Sequence, residues 1–93
     1  MVKGELKSGF KFELDDEAMD DIEFVELLAD AETSVTPIPK IATIALGKEQ
    51  YKKLKDHLRN ENGRVPVSVI NEALSEMFEN ADAEIKNSEP SPE

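Results

Sequence analysis

Lys48, Lys52, Lys55 and Arg59 repeat at spacings of four, three and four residues. On a helix that spacing lines four cations along one face. Such a row has three readings. It is a recognition helix on phosphates, a solvated flank whose stems cover a core edge, or a docking face for an acidic surface. Charge weighs against the first. The chain has formal net charge −10; residues 1–32 carry −8, residues 33–78 carry +2 and residues 79–93 carry −4. A molecule this acidic repels nucleic acid at long range. Glu49 and Lys53, and Lys52 and Asp56, also stand four apart, where opposite charges support a helix. The lysines are expected to be structural or interface groups, with no nucleic-acid partner.

The other chemistry-bearing residues point away from catalysis. Asp15, Asp16, Glu17, Asp20 and Asp21 crowd together, but without the alternating ligands, central Gly and late Glu of a calcium loop. They suit a helix start, where the macrodipole favours negative charge. His57 is the single histidine and there is no Cys, so neither a transition-metal set nor a disulfide is expected. A triad would need a Ser beside His57 in space, and the sequence singles none out. No glycine-rich phosphate loop or catalytic motif is present. The expectation is a protein that is not an enzyme and has no cofactor.

The elements that position these residues are mostly helices. The chain has 93 residues, 39% apolar and 34% charged, which suits one domain with one modest core. No apolar run approaches the roughly 18 residues of a membrane span. The N-terminal stretch "MVKGELKSGF" has no apolar stretch of signal-peptide type, so a cytoplasmic protein is expected.

The expected fold is mainly α, a small bundle of about four helices over 16–31, 37–46, 48–61 and 66–81. A short strand is expected near 9–14, where Phe10, Phe12 and Leu14 alternate with Lys11 and Glu13. Residues 1–8 read as a flexible arm, 9–81 as the single helical domain, and 82–93 as a disordered acidic tail. Asp15 is the expected cap of the first helix. Thr36 is the expected cap of the second, with Pro37 at its first position and Gly47 as its stop. Gly63 is the expected stop of the third.

Two segments carry more apolar surface than a simple surface helix needs. On 16–31, Ala18, Ile22, Val25 and Ala29 form one stripe, and Phe24, Leu27, Leu28 and Ala31 widen it past half the circumference. On 37–46, Ile38, Ile41, Ala42, Ile44, Ala45 and Leu46 surround the helix. The surplus is either an ordinary small core or a protein interface. On the second reading the partner-binding residues are Phe24, Leu27, Leu28, Ile38, Ile41 and Ile44.

Most of the chain, about residues 8–80, resembles a known family. The runs "SGFKFELDDEAMDDIEFVELLADAE" and "ALGKEQYKKLKDHLRNENGRVPVSVINEALSEMFE" look like the small tail assembly chaperones of long-tailed phages and prophages of Gram-positive bacteria. The most specific part is "LGKEQYKKLKDHLRNENGRVP" followed by an amphipathic helix ending in "EMFE". The resemblance implies a helical, non-enzymatic protein of the bacterial host cytoplasm. It would bind the tape measure protein, keep it soluble, promote assembly of the tail tube protein around it, and be absent from the mature virion. It also implies a longer form made by ribosomal frameshifting and a capacity to form a homo-oligomer. The family has no catalytic residues to carry over. The alternative from another class is a small acidic regulator that occupies a basic site on a host protein as a nucleic-acid mimic.

Overall fold

A two-stranded antiparallel hairpin opens the chain, pairing β1 (Val2–Glu5) with β2 (Lys11–Leu14). In the computed structural model, which describes residues 1–88 and side chains to Ala81, four helices follow. They are α1 (Asp16–Met19), α2 (Ile22–Ala31), α3 (Ile38–Leu58) and α4 (Val67–Ser88). The mainly helical architecture is the one expected, with a short sheet beside it.

The expected flexible arm is instead the missing partner of the expected strand. The register pairs Val2 with Leu14, Lys3 with Glu13, Gly4 with Phe12 and Glu5 with Lys11. Val2, Leu6, Phe12 and Leu14 are buried, while Lys3, Glu5 and Lys11 face out. Gly4 hides this alternation, because it fills an inward position with no side chain. A Cβ there would stand 2.6 Å from Phe12 Cζ, so the Phe12 ring occupies the space that a side chain at 4 would take. The turn closes through Leu6 N–H to Phe10 O and Gly9 N–H to Leu6 O, both 2.8 Å.

The helix expected over 16–31 is split in two. Asp15 caps α1 as expected, accepting from Ala18 N–H at 3.1 Å. Asp21 then caps a second start, accepting from Glu23 N–H at 3.0 Å. A short carboxylate competes well for such amides, so two well-placed aspartates divide one helix into two.

α3 covers both helices expected between 37 and 61, and it is broken where the sequence places the stop. Gly47 has φ 82° and ψ 159°, outside the helical region. A break strands the carbonyls of the turn before it. Two of them find partners: Ala45 O accepts from Asp15 N–H at 2.9 Å and Leu46 O from the Gln50 side chain at 2.8 Å. Gln50 then clamps the outer edge of β2. Its Oε1 accepts from Glu13 N–H at 2.8 Å, and its Nε2 donates to Glu13 O at 2.7 Å. The side-chain amide thus pairs like a further strand on an edge that would otherwise be open.

Two helix ends differ from expectation. Thr36 makes no cap bond; Pro37 stands at the N-cap with no side-chain cap, and Thr36 N–H donates to Ser34 Oγ at 3.2 Å. α3 ends at Leu58, three residues early, because Asn60 organises a loop. Asn60 N–H donates to Arg64 O at 2.8 Å, and Asn60 Oδ1 accepts from Asn62 and Arg64 N–H. Gly63 turns that loop with φ 79°. α4 begins after Pro66 and runs past the expected end near 81 to Ser88. The rest of the expected tail, 89–93, lies outside the described residues.

The core gathers under the hairpin. Phe12 and Leu14 meet Leu54 of α3 and Met77 of α4, all 2% exposed or less. α4 packs mainly on β1, and α3 on β2, α2 and α4. Ile70, Ala73, Leu74, Met77 and Ala81 form the buried stripe of α4 at helical spacing.

Candidate partner-binding surface

Of the six expected partner-binding residues, three are core. Phe24 (3% exposed), Ile38 and Ile41 (2%) are buried, and Phe24 meets the Phe78 ring edge-on at 6.2 Å between centroids. Leu27, Leu28 and Ile44 are half-buried and pack against the same core. Phe24, Ile38 and Ile41 thus belong to the fold's own core, while Leu27, Leu28 and Ile44 keep part of their surface exposed. The reason is size. α2 has two apolar faces, and the one bearing Phe24, Leu27 and Leu28 has more area to remove from water.

The opposite face of α2 stays out. Ile22 is 70% and Val25 51% exposed, and Ala29 continues the line. Glu23, Glu26 and Asp30 border this ridge. Between Phe12 and Pro39 the chain has ten carboxylates and no Lys or Arg.

A second apolar feature lies where the loop after α2, the two ends of α3 and the start of α4 converge. It is a groove of about 270 Å³. Buried Ile38 and Ile70 and half-buried Tyr51 and Val65 line it beside Val35 (60% exposed) and Val67 (52%). Lys55 is the one charged side chain on its lining. Its Nζ lies 4.5 Å from the centre of the Tyr51 ring, a cation–π contact. Partial burial pushes the Tyr51 phenol above its ordinary value, so it stays neutral and presents an aromatic wall.

The basic row therefore divides. Lys55 holds its ammonium over the Tyr51 ring at the core edge. Arg59 is held locally, donating to Gly63 O at 2.8 Å and to Asp56 Oδ1 at 3.1 Å. Lys48 and Lys52 are exposed, and among the described residues Lys48, Lys52 and Lys55 make no ion pair.

Two further places bring polar groups together. Ser8 Oγ stands 3.0 Å from His57 Nε2, a contact that no sequence pattern announces. A serine beside a histidine is the start of a nucleophilic set. Here the pair is exposed at a hairpin turn, and the Phe10 ring lies 5.4 Å from the imidazole. Among the described residues no carboxylate hydrogen-bonds to His57. The contact serves to dock the turn on the end of α3, as Glu76 does by accepting from Lys7 N–H at 2.8 Å. A larger trough of about 700 Å³ runs over the outer face of the hairpin. Its rim alternates in charge through Lys3, Glu5, Lys11 and Glu13, with Lys3 and Glu13 paired at 3.5 Å. It has no consistent sign to select a ligand.

The groove was beyond sequence reasoning, because Val35 and Val67 are distant in the chain. The ridge was visible as the Ile22–Val25–Ala29 stripe, and its acidic border was the signal that it faces out. Among the described residues no helix is long and apolar enough to cross a membrane, and no group of three or more His, Cys, Asp or Glu is placed to hold a metal ion. Comparison of the chain with protein-family models, with curated proteins and with solved structures finds no match.

Proposed function

We propose that the chain is a tail assembly chaperone of a long-tailed phage or prophage, acting in the cytoplasm of the bacterial host. It binds the tape measure protein, keeps its apolar helices soluble and promotes assembly of the tail tube protein around it. The observation that carries this reading is the groove at Val35, Val67, Tyr51 and Ile70, set in a strongly acidic molecule. A groove of this kind accepts the apolar face of a helix, and the surrounding charge keeps the loaded complex in solution. The client surface is thus assigned to the groove, which keeps Ile38 of the expected set on its lining, rather than to Phe24 and Ile41. The sequence resemblance supplies the client.

The uninterrupted acidic stretch from 13 to 32 favours a second reading, a regulator that occupies a basic site on a host protein. Co-expression separates the two. The chain should raise the soluble fraction of a co-expressed tape measure protein severalfold, and Val67→Asp should abolish that gain while its far-UV circular dichroism persists. An insoluble client in the presence of the unaltered chain would refute the chaperone reading.

A further inference from the structure

We propose that the groove selects its client by charge. It takes an amphipathic helix whose apolar stripe is flanked by carboxylates, and these meet Lys52, Lys55 and Arg64 at the rim. The proposal rests on the reading of the groove as the client site and adds which helices that site accepts. Its basis is how charge is distributed. The chain has 21 Asp and Glu, yet none of them lines the groove, and Lys55 is the one charged side chain that does. Residues 33–71 supply the whole lining and hold seven cations against three carboxylates, in a molecule of net charge −10.

Within that segment Arg59 and Asp56 answer each other at 3.1 Å. The rim cations have no such answer. Lys52 is exposed one turn before Lys55 on α3, and Arg64 is exposed next to Val65 of the lining. Among the described residues Lys52, Lys55 and Arg64 make no ion pair. The Tyr51 ring holds the Lys55 ammonium 4.5 Å from its centre, so this charge stands at the mouth of the groove beside an apolar wall. An apolar groove alone accepts any apolar helix face. Cations at its rim add attraction for carboxylates and repulsion for lysines, which is how charge confers selectivity more than affinity. Exposed pairs are individually weak, so two or three of them together set a preference of about tenfold. The loaded complex also stays strongly acidic, which favours its solubility.

The test uses two synthetic helical peptides of identical composition and net charge. Both carry the same leucine stripe. One places its glutamates beside the stripe and its lysines on the far face, and the other exchanges them. Fluorescence anisotropy of the labelled peptides with the unaltered chain should give about tenfold tighter binding for the glutamate-flanked peptide. Lys52→Glu combined with Arg64→Glu should remove that preference with unchanged circular dichroism, since both side chains are exposed. Lys53→Glu is the control: its side chain lines the trough over the hairpin instead, and the preference should persist. Equal binding of the two peptides, tighter binding of the lysine-flanked one, or a preference that survives the double substitution overturns the charge selection and leaves the groove as the client site. Binding of neither peptide, or binding that Val67→Asp leaves intact, overturns the groove reading and the selection with it.

Discussion

The seam between the hairpin and α3 and the arm formed by α1 and α2 use apolar residues in opposite ways. In the seam, Phe12, Leu14 and Leu54 are almost wholly buried, and the edge of β2 is closed by Gln50 and the carbonyl of Ala45. In the arm, α1 has no buried residue, Phe24 is the one buried residue of α2, and Ile22 and Val25 face water. Both regions are amphipathic in sequence. The seam's apolar groups hold the fold together, and part of the arm's apolar surface is left for something else. Stability and binding are thereby separated along the chain, and substitutions in the two regions should separate them experimentally.

Leu54→Ala should have the largest effect. Leu54 is fully buried between the hairpin and the helices. Removing its methyl groups leaves a cavity that a packed core closes only in part, at a cost of about 4 kcal/mol. For a domain of this size that is a large share of the total. Urea unfolding should show a much lower midpoint with an unchanged slope. A shift below about 1 kcal/mol would mean that the seam is not the stable part of the molecule.

The same contrast explains what could be read before the fold was known. Helical periodicity marked α2, both arms of α3, and α4, and Gly47 and Asp15 marked a break and a start. β1 was not legible, because Gly4 erases the inward position that the Phe12 ring fills from the other strand. The division of 16–31 was not legible either, since Asp21 reads equally well as a first-turn carboxylate and as a new cap. On α2 both apolar faces were visible, but which one turns inward depends on the volume available beside Phe78 and α3. The groove depends wholly on tertiary structure, because its walls come from a loop, both ends of α3 and the first turn of α4.

Gly47→Ala should have an intermediate effect and tests how the seam is closed. A Cβ at this position meets nothing within 4 Å, so crowding is not the issue. The cost is the backbone, held at φ 82° where an L side chain is strained by about 1–3 kcal/mol. The chain can avoid the strain by straightening α3. That would return the Ala45 and Leu46 carbonyls to helical bonds and pull Gln50 away from Glu13. Either way the urea midpoint should fall by about 2 kcal/mol in free energy. Amide exchange at Glu13 should accelerate with it. An unchanged midpoint together with slow exchange at Glu13 would show that the break is not what closes the edge of β2.

Val25→Ser should have the smallest effect on stability, and that small effect is what defines the arm. Val25 is half-exposed and lies on the face of α2 away from the core. Serine and valine have similar helix propensities. Surface changes of this kind stay within about 0.5 kcal/mol. Its neighbour Phe24 is buried against Phe78, so the boundary between the two uses of apolar surface falls between adjacent residues. A urea midpoint within error of the unaltered chain would place Val25 outside the fold's own energetics. A loss above about 1 kcal/mol would place it inside, leaving Ile22 as the one large apolar side chain of α2 exposed for a partner.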